Sequence, residues 1–438
     1  MERASLQVFV GSPSATVVNR GAHPARGRHL VGADKGLVAG RLWAKLWSRG
    51  QATVFHAVLD RIDAGLEHGS IEGHLPDGSV RLLGGRGEGP HADCELTSWM
   101  ALVRVANSGS VGWYVAWERG EWRSPDPVQI FDLFMRNART LGQSARAQGL
   151  FRLAKRTLHA LRGNSRVGAK RNIAAHYDLG NDFYAAWLDE TMSYSSAMFE
   201  GGASLQSGQR RKIAAIRERV ALQPGQTLLE IGCGWGALAR NFADSGVDVT
   251  AITLSDEQKA WAEEHHGADD LPLRFQITDY RDITGQFDGI ASVEMVEAVG
   301  QRYWPAYLDC IARCLKPGGR AVIQYIAIDD AIFADYAASA DFIQTYIFPG
   351  GMLVSTERFR ALAAERGLEW RDERRFGPDY ARTLKLWRDR FDAAVKKGRL
   401  PQGFDRKFID LWRYYLMYCE GGFNGGGIWV AQVTLVKR

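Results

Sequence analysis

Between residues 227 and 326 short apolar runs alternate with amphipathic stretches. The runs at 227–231, 247–253, 273–277, 289–293 and 320–326 are short and mostly apolar and read as the buried strands of a parallel sheet. Helical spacing falls between them at 236–244, 256–265 and 301–315. This order predicts an α/β fold with a doubly wound, mostly parallel sheet. From Ala381 the pattern turns helical and aromatic, and a last apolar run at 428–436 predicts a closing strand.

The first third of the chain reads differently. Residues 50–133 predict a smaller α/β domain, in which 52–59 is either a strand or a short helix. Leu75-Pro76-Asp77-Gly78 carries turn chemistry, and glycines 84, 85, 87 and 89 predict a loop. The aromatic stretch Trp113-Tyr114-Val115-Ala116-Trp117 and Gly120-Glu121-Trp122 close the unit, and Pro125-Asp126 opens a helix at 128–135. Residues 3–33 are rich in Ala, Arg, Gly and Ser and hold no acid. A weakly ordered extension over 1–49 is expected in preference to a transit peptide, and Leu6 to Val10 is too short for a signal-peptide core. The expected division is 1–49, 50–135, a linker over 136–172, and the larger domain over 173–438.

Composition narrows the class. With 438 residues and 46% hydrophobic positions the chain suits a globular protein of two or three domains, and no apolar run approaches a membrane span. Five scattered cysteines (Cys94, Cys233, Cys310, Cys314 and Cys419) do not make a disulfide framework and favour a reducing compartment. Net charge is only +5, yet residues 136–177 hold ten Lys or Arg and no acid, so the remainder is net −5. Leu150, Phe151, Leu153, Ala154, Leu158 and Leu161 recur there at helical spacing. A basic amphipathic helix of this kind can lie on an anionic membrane, contact nucleic-acid phosphates, or simply link two domains.

The sharpest motif is Leu229-Glu230-Ile231-Gly232-Cys233-Gly234-Trp235-Gly236, between the first strand of the larger domain and its helix. Glycines there allow a tight turn and close approach of a ligand, which dinucleotide enzymes also exploit. Glu230 ahead of the glycines and the Pro224-Gly225 turn before the strand turn the reading toward S-adenosylmethionine. So do Thr253-Leu254-Ser255 with Gln258, Asp279-Tyr280-Arg281-Asp282, and Lys316-Pro317-Gly318-Gly319. Cys233 reads as a small packing residue. Together these features resemble a class I methyltransferase with a Rossmann-like sheet.

From Ala175-His176-Tyr177-Asp178-Leu179-Gly180-Asn181-Asp182-Phe183-Tyr184 onward the chain resembles the cyclopropane-fatty-acid synthase family. The similarity continues through Met192 to Ala197, the glycine loop, Glu294-Met295-Val296-Glu297, Tyr346 to Gly350, Phe376 to Tyr380 and Thr383-Leu384, and spans about 172–435. Residues 50–135 resemble the small lipid-associated N-terminal domain of two-domain members. The resemblance implies C-methylation of a cis double bond in an unsaturated phospholipid acyl chain, forming a cyclopropane. The alternative is a methylene- or methyl-branched chain without ring closure. An alkene is a weak nucleophile, so such a site must align it with the sulfonium methyl, exclude water and stabilise the resulting cation. A base must then take one proton, and how it is lost decides between ring and branch.

In the family that base is thought to be bicarbonate, held by a Cys, a Glu, a His and a Tyr. Glu297 and Tyr380 match this set, whereas Ser196 and Gln324 stand at the Cys and His positions, and Ala298 replaces a usual His. Gln cannot be cationic and binds an anion less well. The resemblance places cofactor contacts at Tyr177, Tyr194, Ser195, Glu230, Gly232, Gly234, Thr253, Leu254, Ser255, Gln258, Asp279, Tyr280, Arg281 and Glu294, with no metal. Phe199, Tyr346, Phe348 and Trp387 are candidates for lining an acyl tunnel.

With such a substrate, the basic segment over 136–171 implies docking on an anionic membrane surface, peripheral to its cytoplasmic face. A homodimer sharing one membrane face and a downstream reductase or oxidase stay open. Two other classes compete. An RNA methyltransferase would use the basic stretch for phosphates, but no Asn-Pro-Pro-Tyr motif or catalytic Cys pair is present, so no nucleic-acid partner is expected. A non-catalytic lipid-binding protein has no need of Glu230, Gly232 and Gly234 together.

Overall fold

The computed structural model describes residues 26–31, 52–142 and 179–438. They fall into two compact units that do not follow the linear division expected from the sequence. The described parts of the first unit are 26–31 and 52–142 together with two stretches from the expected larger domain, Ala334–Ile347 and Gly403–Gly427.

In the first unit strands β1 (Ser70–His74), β2 (Val80–Gly84), β3 (His91–Leu96) and β4 (Trp122–Arg123) form a sheet in the order β2-β1-β3-β4. The Leu75–Gly78 turn joins β1 to antiparallel β2. Gly78 adopts φ +85°, and Asp77 accepts hydrogen bonds from the Ser79 amide at 3.0 Å and hydroxyl at 2.6 Å. Residues 52–59, open between strand and helix, begin the helix Ala52–Gly65, and the Trp113–Trp117 stretch lies in the helix Met100–Glu118. The helix Pro127–Arg136 starts where Asp126 caps the Val128 amide at 3.1 Å with Pro127 in the first turn.

Helix Arg406–Asn424 packs on Pro127–Arg136 closely enough that a Cβ at Gly421 would lie 2.6 Å from the Val128 carbonyl oxygen. Tyr114, Phe342, Tyr346 and Tyr414 meet edge to face or tilted, at centroid separations of 4.7–5.3 Å. Tyr346, a tunnel candidate, is therefore a core residue of this unit.

The second unit carries the expected parallel sheet. Strands β5 (Thr227–Ile231), β6 (Asp248–Thr253), β7 (Leu273–Ile277), β8 (Phe287–Val293), β9 (Leu315–Ile328), β10 (Leu368–Arg375) and β11 (Ile428–Lys437) order as β10-β11-β9-β8-β5-β6-β7. All neighbouring pairs from β7 across to β9 are parallel, and β11 runs antiparallel to both β9 and β10. Six of the seven strands coincide with predicted runs. The exception, β10, alternates apolar Leu368 and Trp370 with charged Glu369 and Arg371, which pair with each other along the strand. An edge strand with a charged outer face has no continuous apolar run to read. From β5 the chain winds outward through β6 and β7, then returns to place β8 on the other side of β5. Ligands of such sheets bind at the carboxyl ends of the strands where the order reverses.

Candidate active site

A cavity of about 240 Å3 opens at the carboxyl ends of β5, β6 and β8. Its floor is the glycine loop. Gly232, Gly234 and Gly236 all hold positive φ (+81°, +53° and +89°), and a Cβ at Gly232 would come within 2.8 Å of the Met295 side chain. The Gly232 and Cys233 amides both donate to the Ile252 carbonyl at 3.0 Å, tying the loop to β6. Cys233 is buried and burial pushes its thiol well above the usual range, as befits a packing residue.

Glu230 lies beneath the loop, buried, its carboxyl pushed up to about 8 by burial, with one oxygen lacking a hydrogen-bond partner among the described residues. Beyond β6, Ser255 caps the helix Asp256–His266 through the Gln258 amide at 3.2 Å. Thr253 donates to Gln258 Oε1 at 3.1 Å, and Gln258 Nε2, beside the cavity, has no partner among the described residues. Leu254 and Tyr280 line the same wall. Asp279 and Arg281 do not line the cavity: they grip each other, Arg281 Nε to Asp279 Oδ1 at 2.8 Å, and Asp279 also caps its own turn through the Arg281 amide. Nor does Ser255, whose part is the helix cap. Tyr194 and Ser195 line the opposite wall with Phe348. Tyr177 and His176 lie outside the described residues.

Of the four residues assigned to anion binding, Ser196, Gln324 and Tyr380 gather on Glu294, and Glu297 stands apart from them. Tyr380 donates to Glu294 Oε2 at 2.7 Å, and Gln324 Nε2 and the Ser196 amide donate to Glu294 Oε1 at 2.7 and 2.9 Å. Gln432 on β11 donates to Gln324 Oε1 at 3.0 Å and so fixes which end of that amide faces Glu294. The Ser196 hydroxyl turns away to the Ala197 carbonyl. Glu294 itself sits at φ +50°, an unusual backbone for a residue with a side chain, and lines the cavity. Burial raises its carboxyl, while Tyr380, Gln324, Ser196 and the Lys212 charge draw it back down. Glu297 accepts from the Ile326 amide, and burial followed by the charge of Glu294 pushes it up to about 8.

Lys212 and Gln209 were not anticipated. On the helix Leu205–Val220 they share the buried stripe with Ile213 and Ile216. Lys212 Nζ donates to Ser195 Oγ at 2.8 Å and to Gln209 Oε1 at 2.6 Å. Burial lowers it to about 8 against the pull of Glu294, Asp189 and Glu230. The spacing of Gln209 and Lys212 with Ile213 and Ile216 puts them on the buried face, but Arg210 and Arg211 beside Lys212 mask that signal in the sequence. Of the remaining tunnel candidates, Trp387 is fully buried against Tyr194 and Trp187, and Phe199 packs under the Arg382 guanidinium.

The cavity suits S-adenosylmethionine. Gly232, Gly234 and Gly236 leave room where a ligand must approach, and the Glu230 oxygen and Gln258 amide nitrogen have no hydrogen-bond partner among the described residues. Fold and site together define a class I S-adenosylmethionine-dependent methyltransferase. Residues 164–433 match the family model described as mycolic acid cyclopropane synthetase. The chain is 37% identical over 357 residues to the tuberculostearic acid methyltransferase UfaA1 of Mycobacterium tuberculosis, covering 76% of this chain and 81% of that one. It is 33% identical over 350 residues to the cyclopropane-fatty-acyl-phospholipid synthase of Escherichia coli K12, covering 79% and 88%. Among solved structures, the mycolic acid cyclopropane synthase CmaA1 complexed with SAH and CTAB superposes with a TM-score of 0.57 at 30% identity, over 61% of this chain and 98% of that one. The chain belongs to the mycolic acid cyclopropane synthetase family, and its cofactor is S-adenosylmethionine.

Proposed function

We propose that this methyltransferase methylates a carbon of a cis double bond in an unsaturated phospholipid acyl chain and leaves the added carbon as a methylene branch. The observation that carries the reading is the half-buried Glu294 carboxyl in the wall of the cofactor cavity, which Tyr194 and Phe348 also line. Methylation of an alkene, unlike that of an amine or hydroxyl, creates a carbon cation, which a desolvated carboxylate and aromatic faces stabilise. S-adenosylmethionine, when bound, supplies the electrophilic methyl group. Gly232 and Gly234 give it backbone room, while Glu230, Gln258 and Tyr280 are placed to hold its polar and ring portions. The relatives named above, one for a fatty acid and one for a phospholipid acyl chain, support the substrate class.

Ser196 and neutral Gln324, in place of the Cys and His that the resemblance implies, favour the branch over the ring. The cyclopropane reading is supported by the name of the Escherichia coli relative. Mass spectrometry of lipids from a host expressing the protein tests both. Monounsaturated chains should gain the mass of one CH2, and proton NMR separates vinylidene from cyclopropyl signals. No gain in a host rich in cis-monounsaturated phospholipid would remove the reading.

The substrate sits in a bilayer, so the protein must reach one. No helix among the described residues is long and apolar enough to cross a membrane. We infer docking on an anionic surface through the basic segment 136–171, most of which lies outside the described residues. Exposed Val80 and Leu82, two positions apart on edge strand β2, support a lipid-facing role for the small unit.

A further inference from the structure

After alkene methylation a proton must leave, and a base has to take it. The resemblance implies a small bound anion among Ser196, Gln324 and Tyr380, yet the donors of these residues are already turned onto one side chain of the protein. We propose that the carboxylate of Glu294 is that base, a built-in anion that makes bound bicarbonate unnecessary; the proposal rests on the alkene reading above.

Three observations carry it. Glu294 lines the cofactor cavity, whereas Glu297, the carboxylate that the sequence favours, does not and is engaged by the Ile326 amide. The three donors hold Glu294 in one orientation and favour its ionised form against the larger push of burial, and the Gln432–Gln324 contact at 3.0 Å orients the amide so that its nitrogen donates to Glu294. The backbone of Glu294 at φ +50° suits glycine better, so the side chain is held at a conformational cost.

The electron count closes. The alkene π pair forms the new bond to the methyl carbon while the sulfur keeps the pair of the breaking S–CH3 bond. The cation on the neighbouring carbon accepts a hydride from the methylated carbon, which becomes the cation. Glu294 then takes a proton from the methyl group, and the C–H pair becomes the methylene double bond. Without the hydride shift the same proton loss closes a cyclopropane. Glu294 gives its proton to water at turnover.

The test uses the full chain with vesicles of cis-monounsaturated phospholipid in buffer purged of carbon dioxide. The wild-type rate should not depend on added bicarbonate. Glu294→Gln should lose about 100-fold or more in rate while its calorimetric affinity for S-adenosylhomocysteine stays near wild type. Glu294→Gly, which suits the backbone and leaves three donors around a small void, should be inactive in purged buffer and regain activity with bicarbonate or formate. 13C-labelled bicarbonate should broaden on addition of Glu294→Gly and stay sharp with wild type. A wild-type rate restored by bicarbonate, bicarbonate binding by the wild type, or a fully active Glu294→Gln would each overturn the proposal and leave the alkene reading standing. Wild type that methylates no unsaturated phospholipid would remove the alkene reading and this proposal with it.

Discussion

The phenol of Tyr380 donates to Glu294 Oε2 at 2.7 Å, joining the helix Gly377–Lys396 to the carboxyl end of β8. This bond stabilises the ionised carboxylate, so it opposes the upward push of burial. With Glu294 as base, Tyr380→Phe should raise its pKa further and move the acid limb of the kcat–pH profile to higher pH. The rate at neutral pH should fall about tenfold or more, from the loss of one charge-assisted bond of about 1.5–3 kcal/mol. Affinity for S-adenosylhomocysteine should not change. A profile that stays in place would show that Tyr380 only packs.

Glu230 and Gly232 make the complementary prediction for the cofactor. Glu230→Ala should weaken S-adenosylhomocysteine binding about 10- to 100-fold by calorimetry, as expected when a ligand's polar group loses its buried partner. Gly232→Ala should weaken it too, because its Cβ would meet Met295 at 2.8 Å in a backbone conformation that L residues avoid. Neither change touches Glu294, Gln324 or Tyr380. Unaltered binding in both variants would move the cofactor away from this loop.

Buried carboxyls should leave a mark on stability. Glu230 and Glu297 are each raised from 4.5 to about 8, so between those values the native state binds more protons than the unfolded chain. Stability from these groups is fully present below pH 4.5 and is lost as pH rises toward about 8, at up to about 1.4 kcal/mol per pH unit for each. Glu297→Gln, neutral at every pH, should flatten that slope in chemical denaturation at pH 5 and pH 8. An unchanged slope would mean that Glu297 is ionised in the native protein at neutral pH.

The basic segment predicts membrane attachment sensitive to salt. Replacing Arg152, Lys155 and Arg156 with glutamine should weaken binding to anionic vesicles about 100-fold, from about 1 kcal/mol per charge, and salt should weaken the wild type in the same direction. Cosedimentation that is indifferent to both would sink the docking proposal.

Much of this was legible in the chain. Strands β5 and β7 fall at the predicted residues because their signatures are local: central β5 is buried at four consecutive positions, and edge strand β7 alternates Leu273, Phe275 and Ile277 with Arg274 and Gln276. The glycine loop announced the cofactor cavity for the same local reason. What depends on distant partners was harder to read. Ser196, Gln324 and Tyr380 were each legible as site residues, but as holders of a bound bicarbonate together with Glu297, while Glu294, three residues earlier, read as a cofactor contact. Only the register of β8 against β9, which sets Val293 beside Gln324, brings Glu294 to them. Lys212 was hidden in a run of charged residues, and β10 in its own salt pairs. The assignment of Ala334–Ile347 and Gly403–Gly427 to the first unit has no signature in local sequence.

That last arrangement has a consequence for the order in which the protein is made. Domains generally fold as they emerge from the ribosome, at about 5–20 residues per second. The small sheet and the helix Pro127–Arg136 leave the ribosome well before the helix Arg406–Asn424 that packs on Pro127–Arg136, with the parallel strands of the second unit made in between. The Tyr114 ring likewise waits for Phe342 and Tyr414. The first unit is thus completed only after strands β5 to β9 have been made, and the face of Tyr114 stays uncovered until Phe342 and Tyr414 follow.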